Sequence, residues 1–165
     1  MGSFMKPDIK LKSIYDLDPV MLKSKGIKGL LFDIDNTLEE YATIVPSEKL
    51  IKFIKMISDC GFKIGIISNA KIKRSQIFAE GFPKEEYPMI YITGKAQKPL
   101  KKGFVEITEQ MGIYLHEAAM IGDQLYTDIL GGNRAGCLTI LVNPININIE
   151  PSFVKFKRFF EKPFL

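Results

Sequence analysis

The chain is expected to fold as an α/β protein, a doubly wound, five-stranded parallel sheet with helices on both faces. Two observations predict this. Five short apolar runs alternate with amphipathic stretches along 165 residues, and parallel strands buried on both faces read as such continuous runs. The polar residues of unusual chemistry follow the ends of successive runs, which is where an open α/β sheet places its chemistry. A composition of 46% hydrophobic and 25% charged residues fits a packed core and argues against disorder.

Taken in order, residues 1–27 form a lead-in with a short helix over Pro19–Lys25. The first strand is Gly29–Asp33. A helix then begins near Pro46 with Ser47 and Glu48, carries Leu50, Phe53, Ile54 and Ile57 at helical spacing, and stops at Gly61. Strand Phe62–Ser68 leads into a short basic helix from Lys71 to about Glu80. Strand Met89–Ile92 precedes a helix that holds Phe104, Ile107 and Met111 before Gly112. Strand Ala118–Ile121 is followed by a helix over Tyr126–Ala135, in which Gly131 and Gly132 mark close packing or an early end. Cys137–Val142 is the last strand.

Several classes are set aside. No run of eighteen apolar residues occurs, and the N-terminus lacks a basic region followed by an apolar one, so neither a spanning helix nor a secretory signal is expected. Lys6 stands where a myristoylation pattern needs a hydroxyl. Cys60 and Cys137 are too few and too far apart for a disulfide framework and read as reduced, which suits a cytoplasmic setting. The formal charge of +4 is mild, and no nucleic-acid partner is expected. The basic residues nonetheless cluster: Lys71, Lys73 and Arg74; Lys95, Lys98, Lys101 and Lys102; Lys155, Lys157 and Arg158. Such clusters suit an anionic substrate or surface, yet taken one by one they read as solvated side chains, with Lys98 alone set apart by its place after a strand.

Asp33 and Asp35 are the most informative residues. An Asp-x-Asp pair is common by chance, but two carboxylates at the end of a buried strand are costly unless they meet a cation or a substrate. Ser68 and Asn69 end the second strand, Lys98 follows the third, and Gly122 and Asp123 end the fourth, with Asp128 five residues on. Singly, each has a dull explanation in helix capping or turn chemistry.

Jointly, Asp33-Ile-Asp-Asn-Thr-Leu, Ile67-Ser68-Asn69, Lys98-Pro99 and Ile121-Gly-Asp-Gln-Leu-Tyr-Thr-Asp-Ile-Leu-Gly-Gly-Asn-Arg-Ala-Gly136 resemble the four motifs of the haloacid dehalogenase (HAD) superfamily of phosphohydrolases. They look most like its IIIA-type, YqeG-like phosphatases. The resemblance implies a Rossmann-like HAD core in one domain over residues 1–165 and a site built from those motifs. Asp33 would be the nucleophile that forms an aspartyl-phosphate. Asp35 would protonate the leaving oxygen and then activate water. Ser68, with Asn69, would bind a phosphoryl oxygen, and Lys98 would pair with Asp33 and the phosphate. Mg²⁺ is the implied cofactor, held by Asp33, Asp123 and the Asp35 backbone carbonyl, with Asp128 in its shell directly or through water.

Ten residues from Asn36 to Val45 and five from Thr93 to Gln97 leave no room for a large cap domain. An open site suits phosphates on large or surface-bound molecules. Related phosphatases of mitochondria act on phosphatidylglycerophosphate, which makes that membrane lipid the leading substrate. Soluble nucleotide, sugar or protein phosphates are the alternative. A non-catalytic phospho-acceptor is the rival of another class, and Asp35 argues against it, because a pure acceptor needs no general acid. In the tail, residues 152–165, Phe153, Phe156 and Phe160 share a helical face. Two readings stay open: the rings dock on the domain with the lysines outward, or the tail lies along an anionic membrane at its inner face. His116 reads as a loop residue, and the roles of Gln124 and Tyr126 beside the metal stay open.

Overall fold

The computed structural model describes residues 2–85 and 89–165. Its strands are β1 (Ile9–Leu11), β2 (Gly29–Phe32), β3 (Lys63–Ile66), β4 (Ile90–Ile92), β5 (Ala118–Gly122) and β6 (Leu138–Val142). They join in one sheet ordered β1-β6-β5-β2-β3-β4, and every pairing is parallel. The sheet therefore has six strands and not the expected five. The additional strand, β1, is a three-residue edge element paired with β6 through Ile9↔Ile140. So short a run carries no period of its own, and its partner lies far along the chain.

Side chains alternate across the sheet. Leu30 and Phe32 enter one core with Leu22 of α1 (Pro19–Ser24), Leu50, Phe53, Ile54 and Ile57 of α2 (Glu48–Asp59) and Phe78 of α3 (Ile72–Glu80). Leu31 enters the opposite core with Phe104, Ile107 and Met111 of α4 (Lys102–Met111), Met120, and Ala135 of α5 (Leu130–Ala135). Helices thus cover both faces. The apolar spacing that predicts α2 and α4 is the spacing that is buried. Ser47 caps α2 by accepting from the Leu50 amide, and α4 stops where Gly112 takes φ 63°, a left-handed conformation that glycine tolerates best.

The fourth predicted helix is interrupted. Leu125–Ile129 forms a wide π-helical turn before α5 begins at Leu130. That turn buries Leu125 and Ile129 against Met5 and Leu141 and buries Asp128 completely. Gly131 and Gly132 mark close packing, as the sequence suggests: a Cβ on the first would lie 2.8 Å from the Phe104 ring and on the second 2.7 Å from the Thr139 methyl. A final helix, α6 (Ser152–Glu161), packs near the same turn.

Candidate active site

The chain runs from β2 outward through β3 and β4, then returns to the other side of β2 for β5 and β6. β2 and β5 therefore flank the topological switch point, where the connections diverge and leave a crevice. Asp33 follows β2 directly, its amide bonded to the Ile121 carbonyl at 3.1 Å, and Asp123 follows β5. The close approach of Asp128 to this edge requires Gly122, since a Cβ there would overlap the Asp128 carboxylate.

Asp33, Asp123 and Asp128 come together: one carboxylate oxygen from each lies within 4.8 Å of the others, and all three residues are buried. Lys98, with its side chain 2% exposed, bridges Asp33 Oδ1 at 2.9 Å and Asp128 Oδ1 at 2.7 Å. The other Asp128 oxygen accepts from the Gln124 amide at 3.1 Å. Thr37 donates to Asp123 Oδ1 at 3.0 Å. Asn69 grips the Lys98 backbone at both ends of its amide, donating to the carbonyl at 3.0 Å and accepting from the amide at 2.7 Å. Ser68 is buried on the wall of the same cavity, which has a volume of about 210 Å³. Asp35 lines the cavity too, but its carboxylate turns to Arg74 in a two-pronged pair, both bonds 2.8 Å, and to the Ala42 amide at 2.8 Å.

Sequence reasoning set Lys98 apart from the basic clusters and passed over two arginines. Arg74 holds Asp35 and the Thr43 carbonyl, and its buried Nε has no partner. Arg158, from α6, donates to Asp123 Oδ2 and to both oxygens of Glu150. Glu150 also accepts from Asn36 at 2.6 Å, tying the segment after Asp35 to the approach of α6. No local pattern announces such pairs. The one available signal is the helical spacing of Val154, Arg158 and Glu161, which puts these three on one face.

Four buried carboxylates, Asp33, Asp123, Asp128 and Glu150, thus face two buried or half-buried cations, Lys98 and Arg158. Two negative charges stay uncompensated in a setting where bare charge is costly. An oxygen-only donor set with that imbalance fits one divalent cation. Burial first, and then the neighbouring Asp128, raises the carboxyl of Asp33 to about 7 against the pull of Lys98. The same two causes raise Asp123 to about 8 against Arg158.

These shifts give the sign of a pH effect. Between about pH 4 and 8 the metal-free folded chain binds protons that the unfolded chain has released, so stability falls as pH rises through that window. The melting temperature in a chelator is expected to drop from pH 5 to pH 8, and a divalent cation that replaces those protons is expected to remove the drop. Parallel melting curves with and without the chelator check this; a rise with pH in the chelator would overturn it.

The family model described as "HAD-hyrolase-like" matches residues 95–144. The chain is 37% identical over 145 residues to "Probable phosphatase YqeG" of Bacillus subtilis, covering 88% of this chain and 81% of that protein. It is 30% identical over 158 residues to "Phosphatidylglycerophosphate phosphatase 1, chloroplastic/mitochondrial" of Arabidopsis thaliana, covering 92% of this chain but 44% of that longer protein. Among solved structures it resembles a predicted HAD-like family hydrolase from Porphyromonas gingivalis, with TM-score 0.54 and 13% identity over 80% of this chain and 98% of that one. An uncharacterized protein from Listeria monocytogenes aligns with TM-score 0.55 and 18% identity over 81% and 99% of the two chains. At such identities these structures bear on the fold alone.

Proposed function

Since the chain belongs to the YqeG-like phosphatases of the HAD superfamily and is a phosphohydrolase, we propose that it hydrolyses a phosphate monoester in two displacements with Asp33 as the nucleophile. What carries this assignment is the Asp33 carboxylate at the switch point, held by a buried ammonium on the wall of an open cavity. A phosphate monoester resists attack because nucleophile, phosphoryl oxygens and leaving group are all negative, so the site must supply positive charge and orientation. Lys98 supplies charge beside the attacking oxygen. Ser68 donates to a phosphoryl oxygen, and Asn69 serves at one remove by fixing the Lys98 backbone. The oxygen donors suit Mg²⁺, which Asp33, Asp123 and the Asp35 carbonyl would hold, with Asp128 in its shell directly or through water while it orients Lys98. When bound, the ion neutralises charge on the group being transferred.

Asp35 protonates the leaving oxygen and later takes a proton from the water that cleaves the intermediate. Arg74 holds that carboxylate at 2.8 Å, so the transfer needs Asp35 to turn toward Asp33. Asp35→Asn is expected to lose far more kcat/KM on alkyl than on aryl phosphates, because aryloxide departs without a proton and kcat/KM reports formation of the phospho-enzyme, not its hydrolysis. Equal losses on both classes would remove Asp35 as the acid.

The substrate we favour is phosphatidylglycerophosphate, and with it a peripheral place at a membrane. Among the described residues nothing caps the cavity, and no helix is long and apolar enough to cross a bilayer. An uncapped site cannot enclose a small free phosphate, so binding energy has to come from remote contacts and be realised at the reacting centre. The lipid in mixed micelles is expected to be hydrolysed with a much higher kcat/KM than free glycerol phosphate. Comparable efficiency on the two, or no phosphate released from the lipid while an aryl phosphate turns over, would sink the lipid assignment in favour of a soluble nucleotide, sugar or protein phosphate.

A further inference from the structure

Helix α6 has two faces of opposite character. Val154 and Glu161 are buried, Arg158 is largely so, and these three lie on the side that meets the domain: Glu161 accepts from the Tyr126 amide at 2.9 Å, and Arg158 holds Asp123 and Glu150. At about 100° per residue, Phe153, Phe156, Phe159 and Phe160 fall on the opposite side. They are 60%, 65%, 63% and 48% exposed. The rings of the last three touch edge to face, Phe156 to Phe160 at 4.9 Å and Phe159 to Phe160 at 5.6 Å, so these form one patch and not scattered positions. Phe164 and Leu165, beyond the end of α6, are 43% and 63% exposed as well. Exposed Lys155 and Lys162 flank the rings on one side and Lys157 on the other.

Of the two readings of the tail, the first holds for the helix, which docks on the domain, but not for its rings, which face outward. Its polar anchor is what packs inward, because the buried acids of the site need Arg158 more than the core needs aromatic rings. An apolar patch of this kind on a soluble surface marks an interaction site. Its lysine margins select the partner: an apolar stripe edged by cations suits the boundary between the acyl chains and anionic headgroups of a bilayer.

We propose that the outward face of α6 docks on an anionic lipid bilayer and thereby sets the Asp33 cavity against the membrane. Phe153, Val154 and Lys157 line that cavity together with Asp33 and Lys98, so the docked helix forms the rim nearest the lipid. This deepens the lipid-phosphate function proposed above by naming the surface that brings the protein to its substrate, and it rests on that function only for its purpose. Removing the whole tail is not a clean test, since it would also strip Arg158 from Asp123.

The test is sedimentation with phosphatidylglycerol-phosphatidylcholine vesicles, without phosphorylated substrate, comparing the full chain with Phe156→Ser/Phe159→Ser and with Lys155→Gln/Lys162→Gln. Unchanged melting curves certify that the variants fold. The full chain is expected to pellet with anionic vesicles, at least about tenfold more weakly with phosphatidylcholine alone, and less as salt rises. Both double variants are expected to lose about tenfold or more in vesicle affinity. Equal binding by the full chain and the serine variant, binding indifferent to lipid charge, or self-association of the free protein that the serine variant abolishes while vesicles are ignored would overturn the proposal. Because no turnover is measured, these outcomes leave the phosphohydrolase assignment standing, and failure to hydrolyse the lipid leaves the docking result standing.

Discussion

Asp33→Asn is expected to lower hydrolysis of an aryl phosphate by roughly 10⁴-fold or more, the scale on which removing a nucleophile acts. The amide does not attack phosphorus, and it is a poor ligand for a hard cation, so added Mg²⁺ should not rescue the variant. The same substitution removes one of the carboxylates whose mutual repulsion and burial raise their proton affinity. The metal-free variant is therefore expected to melt at or above the temperature of the parent at pH 8. Steady-state kinetics and thermal melts check the two halves. Undiminished turnover would remove Asp33 as the nucleophile, and a lower melting temperature would mean that Asp33 serves the fold more than the chemistry.

Lys98→Met is expected to act in the reverse sense on stability. The ammonium stands between Asp33 and Asp128, both buried, and its own affinity for the proton is raised by those two neighbours despite the opposing cost of burial. Methionine preserves much of the volume and leaves two like charges unpaired. Breaking a buried pair in this way typically costs about 3–5 kcal/mol, and the loss should shrink in acid, where the Asp33 carboxyl, raised to about 7 by its burial, takes up a proton. Denaturant unfolding at pH 8 and pH 5 measures it. A cost under about 1 kcal/mol at pH 8 would contradict the burial of Lys98 between its partners.

The sheet, the order of its helices and the edge where the chemistry gathers were all legible in the sequence, because each rests on local pattern. Buried parallel strands such as Leu30-Leu31-Phe32 are continuous apolar runs, and α2 and α4 show helical spacing. Asp33, Ser68, Lys98 and Asp123 could be picked out because each follows a strand, and a parallel sheet brings all its strand ends to one edge; Asp128, inside the turn after Asp123, was marked only by the motif that resembles the HAD phosphatases. What stayed hidden depends on partners distant in the chain. β1 exists by virtue of β6. Arg74 looked like one basic residue among three until α3 delivered it to Asp35, and Arg158 until α6 turned it inward to Asp123. For the tail, the periodicity of Phe153, Phe156 and Phe160 showed that one face is apolar but not which face packs. A buried anionic cluster settled that by drawing in the arginine.

The most direct measurement is a rapid acid quench of Asp35→Asn during turnover of a ³²P-labelled aryl phosphate with Mg²⁺ present. With aryloxide as leaving group, Asp33 can still be phosphorylated. Without Asp35 the water that should cleave the intermediate is poorly activated, so the phospho-enzyme accumulates. The expected result is acid-stable, hydroxylamine-labile label, approaching one equivalent, on the peptide that contains Asp33. Release of labelled phosphate at every quench time with none bound to the protein, or label confined to a peptide lacking Asp33, would contradict it.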